Sequence, residues 1–390
     1  MIDFSYSNPT RIVFGRGVEA RTGETVVDVL GAPTKVLVLF GGGSARRTGI
    51  LDVVTESLRK ADCVVLEKGG VQPNPRMNFV RDTIDWCRDQ GVHAIVAVGG
   101  GSVIDTAKAV ALGLEYEGDV WDFFEGRAKP ERALPVFAVL TIPAAGSEQS
   151  IRCVMTHHGT KAGIGCELIR PKAAIINPER FSTLPKMQIA AGAIDMASHI
   201  FERYFSRTTA TAYVDGQAEA ALRTIFEYGP KVLANPKSYD DWCQLAMAAS
   251  FAHNGYFGLG REEDWACHAI EHEISGWREE ITHGWGLAVV IPAWMRYVAA
   301  IEPRRVADFS VRVMGVAPGD TEAETIRRGI NALVEWTRRM ALPTNLRELG
   351  AEDCPIESLA RHCCRAGTVG KYVPLDQDAV LEILSACRGA

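Results

Sequence analysis

The sequence predicts an α/β nucleotide-binding domain followed by an all-α domain. Three observations carry this reading. In the first half, short β-rich runs alternate with helical patterns; beyond residue 185 the strand signals fade into long helical periodicities. Two copies of GGGS each stand where a strand run meets a helical run.

The strand runs are RIVF (11–14), KVLVLF (35–40), CVVL (63–66), HAIVAV (93–98), PVFAVLT (135–141) and AAIIN (173–177). Helical patterns near 48–60, 75–90 and 103–113 fall between several of them, which is the signature of βαβ units and a mostly parallel sheet. The second half carries helical patterns at 186–205, 211–228, 239–257, 263–275, 284–300, 321–341 and 374–387. The boundary is set in STLPKMQ (182–188), where Pro185 can open a helix, giving domains 1–184 and 185–390.

Composition narrows the function. A chain of 390 residues has room for about two cores. A net charge of -6 speaks against a nucleic-acid surface, and no apolar run reaches the length of a membrane span. The start, MIDFSYSNPT, lacks the basic and apolar regions of a secretory signal. The ten cysteines are scattered, without a CxxC, as expected for reduced core residues. A cytoplasmic protein is expected, with no nucleic-acid and no membrane partner.

The two glycine turns read as an anion site. KVLVLFGGGSARRTG and HAIVAVGGGSVIDTAK both run strand, GGGS, helix. Glycines there let backbone N–H groups approach an anion, and the helix N-terminus adds a favourable dipole. Neither turn is GxGxxG, so this is not the common dinucleotide fingerprint. Two such turns at carboxyl ends of strands favour a nucleotide in the crevice there. A third polar turn, TIPAAGSEQS (141–150), also follows a strand.

A metal is implied by the helical half. GAIDMASHIFE (192–202) has the spacing of a buried helix, yet Asp195 and His199 share one of its faces. Burying a carboxylate and an imidazole is costly unless something compensates them. DWACHAIEHEISGW (264–277) adds His268 and His272 on one face with Glu271 beside them, and His283 opens a further apolar helix. One lone histidine reads as a hydrogen-bonded core residue. Asp195, His199, His268 and His283 together supply a carboxylate and three imidazoles, a set suited to a divalent transition metal. HAIEH also fits the HxxEH pattern of inverted zinc proteases, with His268 and His272 on zinc and Glu271 as base. That alternative leaves the GGGS turns and the Asp195–His199 pair unexplained.

These residues, with NPTRIVFGRG (8–17), FGGGSARRTGILD (40–52), GGVQPNPR (69–76), VGGGSVIDTAKA (98–109), GDVWDFF (118–124) and AGSE (145–148), resemble the iron-containing (group III) alcohol dehydrogenases, near their butanol dehydrogenase and aldehyde reductase branch. The resemblance runs over almost the whole chain. It implies a dehydroquinate synthase-like fold, interconversion of primary alcohols and aldehydes, NADP or NAD as cofactor, and a homodimer. It places Asp195, His199, His268 and His283 as ligands of Fe(II), with Zn(II), Ni(II) or Co(II) compatible with the same donors. Gly99, Gly100, Gly101 and Ser102 match the pyrophosphate turn, and Asp105 belongs to the same cofactor-binding set. Thr141 and Ser147 match positions near the ribose and nicotinamide, and Asn74 and the turn Gly41, Gly42, Gly43 and Ser44 complete the cofactor set. His272 matches a pocket histidine beside the nicotinamide and is expected to relay a proton or only to shape the pocket, rather than to act as a ligand.

Two departures from the family pattern stand out. The step from His272 to His283 is one residue longer than usual, within GWREEI, and AAGSE replaces the more usual ATGSE. Gly41 puts no carboxylate where the adenosine ribose is expected, and Arg46 and Arg47 follow, so NADP(H) is expected to be preferred.

Overall fold

The computed structural model describes residues 1–389. They form two compact units, one of Ser7–Thr183 and one of Met1–Tyr6 together with the chain from Leu184 onward.

The first unit is built on a six-stranded parallel sheet. Its strands are β1 (Arg11–Phe14), β2 (Lys35–Phe40), β3 (Val64–Lys68), β4 (Ala94–Gly99), β5 (Val136–Leu140) and β8 (Ala173–Ile176), in the order β1-β8-β5-β4-β2-β3. Each was anticipated to within a few residues. KVLVLF reads as a continuous apolar run because β2 is flanked by β3 and β4 and buried on both faces: Val36, Leu37, Val38 and Leu39 are all inaccessible to solvent. The chain leaves β2 toward β3 and leaves β4 toward β5, so the connections diverge between neighbouring strands β2 and β4. The two GGGS turns end these two strands. Their meeting place is therefore the topological switch point, where open α/β sheets bind ligands.

The hairpin of β6 (Arg152–His157) and β7 (Thr160–Gly165) was not anticipated. RCVMTH and TKAGIG are only partly apolar, but the link His158–Gly159 has positive φ at both residues (48° and 74°), the requirement of the tight turn that matches strand twist. The Thr22–Leu30 helix was missed as well, since Gly23 and five β-branched residues weaken its intrinsic preference.

The second unit is helical. Its main helices are Lys186–Tyr204, Ala212–Ala234, Tyr239–Ala252, Ala266–Trp277, His283–Ala299, Pro303–Arg312, Glu322–Arg339, Ile356–Cys363 and Gln377–Ala386. Seven were anticipated. The helix predicted over 239–257 stops at Ala252, because the left-handed Gly255 (φ 93°) follows closely. Pro303–Arg312 and Ile356–Cys363 were overlooked because each is short. The Lys186–Tyr204 helix is central and almost entirely buried, with Phe201 and Phe205 packed on Phe226, Trp294 and Phe309. Among the described residues no helix is long and apolar enough to cross a membrane.

The expected boundary needs one correction. Residues 1–6 group with the helical unit rather than with the α/β unit. The terminal ammonium donates to the Thr209 carbonyl, Ile2 N–H donates to Gly260, and the Tyr6 ring meets that of Tyr256 edge-on.

Candidate metal centre and nucleotide turns

Asp195 and His199 lie one turn apart on the buried Lys186–Tyr204 helix. His268 comes from the first turn of the Ala266–Trp277 helix, and its ligand atoms, with those of Asp195 and His199, lie within 4.8 Å of one another. His283 opens the His283–Ala299 helix. Its Nε2 is 3.8 Å from Asp195 Oδ1, and its ring centroid is 5.4 Å from that of His268. Gly284 makes this approach feasible: a Cβ there would stand 2.3 Å from the Ala191 carbonyl oxygen, on the helix that carries Asp195.

Each of three imidazoles is held through Nδ1. His199 Nδ1 lies 2.9 Å from the Asp195 carbonyl oxygen, His268 Nδ1 lies 2.7 Å from Glu202 Oε1, and His283 Nδ1 meets Glu271 Oε2. With Nδ1–H donating, Nε2 keeps its lone pair, the form that binds a metal. His268 Nε2 and Asp195 Oδ1 are buried and have no hydrogen-bond partner. Orphaned donors and acceptors at such depth are rare and call for a missing partner. A divalent cation fits: it would accept both lone pairs and neutralise the carboxylate.

The electrostatics agree. Burial pushes the Asp195 carboxyl up, but His199, His283 and His268 outweigh it and hold the group below the ordinary carboxylate range. Burial, followed by His199 and His283, holds the His268 imidazole well below its usual range and therefore neutral. Glu202 is pushed up to about 7, chiefly by burial; Asp264, buried and next to Glu202, is also pushed up to about 7. This has a consequence for the metal-free protein. Both carboxyls keep protons in the folded chain that the unfolded chain has released, so stability falls as pH rises toward and through 7. His268 opposes with one proton against two, and only below about pH 6.5. The Tm of metal-free protein is expected to decrease between about pH 5 and about pH 8; a rise across that window would contradict the burial of these carboxyls.

His272 is half-buried and stands apart from the first cluster. Its ligand nitrogen groups with Glu271 and His283, and its ring is 6.1 Å from that of His268 and nearly perpendicular to it, at 89°. Several residues of the site were missed in sequence. Glu202 also accepts from the His268 backbone N–H at 2.9 Å. Arg203 donates to the His199 carbonyl (2.6 Å) and to His253 Nδ1 (2.9 Å), and the His253 ring is 4.3 Å from that of His199. Trp265, in the left-handed region at φ 68°, places its ring 5.2 Å from His268. That strained backbone beside the cluster is the usual mark of a functional site.

In the α/β unit the turns Gly41–Ser44 and Gly99–Ser102 follow adjacent strands β2 and β4. The second opens the Gly101–Gly113 helix, and a Cβ on Gly100 would come within 3.2 Å of Ile142. The missing side chains leave helix N-terminal N–H groups accessible to a pyrophosphate. Thr141 follows β5 and its N–H bonds Gly99 O at 3.0 Å, so the third turn joins the second. Asn74, left-handed at φ 52°, lies in the loop after β3, which bonds back to Gly41 through Gly70 N–H. Asp105 and Ser147 are engaged in the fold itself. Ser147 Oγ donates to Asp105 Oδ1 (2.5 Å), and the fully buried Lys108 donates to Ser147 Oγ, Ser147 O and Arg152 O at 2.7–2.8 Å. Together they hold the loop around Ser147 in place.

Known proteins carry the same plan. The family model described as iron-containing alcohol dehydrogenase matches residues 9–178, and that of the Fe-containing alcohol dehydrogenase family C-terminal region matches 189–387. The chain is 37% identical to NADH-dependent butanol dehydrogenase A of Clostridium acetobutylicum, over 98% of this chain and 99% of that protein. It is 32% identical to NADPH-dependent aldehyde reductase YqhD of Escherichia coli, over 100% of both. The fold matches the crystal structure of NADH-dependent butanol dehydrogenase A from Thermotoga maritima with a TM-score of 0.94 at 37% identity, covering 100% of this chain and 99% of that one. Both units are thus accounted for: the chain belongs to the iron-containing alcohol dehydrogenase family and is an NAD(P)-dependent alcohol/aldehyde oxidoreductase of that metal-using kind.

Proposed function

We propose that the chain interconverts primary alcohols and aldehydes with Asp195, His199, His268 and His283 holding one divalent metal, Fe(II) in first place. The observation that carries this reading is the buried His268 Nε2, without a hydrogen bond, beside the buried carboxylate of Asp195, whose Oδ1 has only the rings of His199 (3.3 Å) and His283 (3.8 Å) near it. When bound, the metal supplies Lewis acidity at the substrate oxygen and the nicotinamide gives or takes the hydride. The chain's own residues do the rest. Asp195 provides the negative charge, and the Nδ1 contacts of His199, His268 and His283 fix which nitrogen faces the site. His272 stands beside His283 and is proposed to pass the proton between the substrate oxygen and solvent, a task suited to an imidazole. Gly99, Gly100, Gly101 and Ser102 are proposed to hold the pyrophosphate, with Gly41, Gly42, Gly43 and Ser44, Asn74 and Thr141 around the rest of the cofactor. The test is a panel of aldehydes assayed with both reduced cofactors on protein reloaded with Fe(II), Zn(II), Ni(II) or Co(II). Absence of turnover with every metal would overturn the reading.

Within this activity we propose a preference for NADP(H). The named cofactors of the two relatives above differ, so the argument rests on this chain's residues. Arg46 is engaged with Glu67 at 3.1 Å and lies over Phe40. Arg47 is exposed, and its Nη1 is 2.6 Å from where a Cβ on Gly43 would stand, so its guanidinium lies over the turn. Of the two arginines it is the one placed to pair with a 2′-phosphate. The expected result is a kcat/KM ratio favouring NADPH, moved toward NADH by Gly41→Asp or Arg47→Ala. A wild-type ratio favouring NADH about tenfold, roughly 1.4 kcal/mol, would sink this preference.

We also propose a homodimer in a cytoplasmic setting. Met1, Ile2, Phe4 and Tyr213 are between 48% and 70% exposed, an apolar group on the helical unit that a second copy would cover. The ten cysteines are all unpaired, in keeping with a reducing compartment. Light scattering on Phe4→Asp and Tyr213→Asp is expected to report monomer where the parent chain reports dimer; unchanged dimer mass in both would exclude this face.

A further inference from the structure

We infer that Glu271 is a positioning residue that clamps His283 onto the metal, an inference that rests on the proposed ligand set. Four observations on the helical unit converge. His283 occupies the first position of its helix, and its side chain is 25% exposed, the most accessible of the four proposed ligands. A side chain there has rotamer freedom that a ligand must lose. The loop that delivers it is long: Trp277 ends one helix, Thr282 caps the next, and five residues lie between the helical ends. Glu271 is wholly buried, and its Oε2 meets His283 Nδ1. The helix that carries His283 is shaped to admit this carboxylate: a Cβ on Gly286 would stand 2.7 Å from both Glu271 Cγ and Oε1.

The chemistry follows from these placements. A carboxylate that accepts from Nδ1–H selects the tautomer with its lone pair on Nε2, and Nε2 is the atom that faces Asp195. A fully buried carboxylate also needs a nearby positive charge, which a cation held by His283 would supply. Glu202 makes the same kind of contact with His268, but that ring is already enclosed. Glu271 acts where the ligand would otherwise be loose. The sequence offered Glu271 as the general base of a protease motif; its contact with His283 gives it a different task.

The test is metal affinity by chelator competition, with the absorption spectrum of Co(II)-loaded protein as a second readout. Glu271→Ala is expected to lower affinity about 10–100-fold, the usual effect of removing a partner outside the ligand shell. Glu271→Gln, whose amide oxygen accepts the same hydrogen, is expected to stay near the parent value. Gly286→Ala leaves Glu271 in the sequence but crowds it, and is expected to weaken binding in the direction of Glu271→Ala. The double variant Glu271→Ala/His283→Ala is expected to bind no more weakly than His283→Ala, because the effect runs through that ring. Additive losses, or parent-like affinity and Co(II) spectrum in Glu271→Ala, would overturn the inference, as would an equal loss in the Gln variant. If Asp195→Ala and His283→Ala bind metal like the parent, it is the ligand set that fails. If they lose metal while Glu271→Ala does not, only the clamp fails. Thermal melting of each metal-free variant separates these results from unfolding.

Discussion

Asp195→Ala is expected to yield a folded protein without bound metal and without measurable alcohol oxidation or aldehyde reduction. Among the four proposed ligands it is the only anion. Its removal leaves three neutral imidazoles to hold a dication, and the loss should exceed the roughly 100-fold that an outer partner costs. The fold should tolerate the change. In the metal-free chain Asp195 is a buried carboxylate whose Oδ1 has no hydrogen bond, and burial alone acts against its charged form. Deleting it removes a desolvation cost but also the larger attraction of His199, His283 and His268, so the metal-free variant should stay folded and melt below the metal-free parent. Metal analysis beside circular dichroism decides the matter. A variant that retains its full metal yet lacks activity would make Asp195 a proton-transfer group.

Much of this architecture was legible in the sequence because its signals are local. KVLVLF declares a strand buried on both faces, and GGGS declares a turn between strand and helix. A carboxylate and a histidine four apart in an apolar helix declare a compensating charge. What stayed hidden depends on contacts distant in sequence. Glu202 reads as an ordinary acid seven residues after Asp195; its task appears only when His268, 66 positions away, donates to it. Lys108 reads as a solvated lysine of DTAK, yet it is wholly buried and ties down the turn around Ser147. Trp265 carries no mark in sequence of the left-handed backbone that turns it toward the histidines. The placement of residues 1–6 with the helical unit rests on two backbone hydrogen bonds and one ring contact that no periodicity encodes.

The sharpest contrast is expected between His268→Ala and His272→Ala, two changes one helical turn apart. Spacing alone makes the two residues equivalent, since both project from one face of the Ala266–Trp277 helix. Their surroundings separate them. His268 is buried with Nδ1 held by Glu202, Nε2 without a partner, and its imidazole kept neutral by burial. Neutral, oriented and unpartnered is the state of a ligand awaiting its metal. His272 is half-buried, and its ring lies 5.4 Å from that of His283. A metal that works on substrate must keep one position open, and a fifth protein ligand would close it. His268→Ala should therefore lose metal by about 100-fold or more and lose activity with it. His272→Ala should keep parent metal affinity while kcat falls by about 10²–10⁴, the usual contribution of a positioned proton-transfer group. Its kcat should also lose one limb of its pH dependence, because the titrating relay is gone. Chelator competition and pH profiles on the two variants make the comparison direct. Metal loss in His272→Ala with retention in His268→Ala would reverse the assignment and return His272 to the ligand shell.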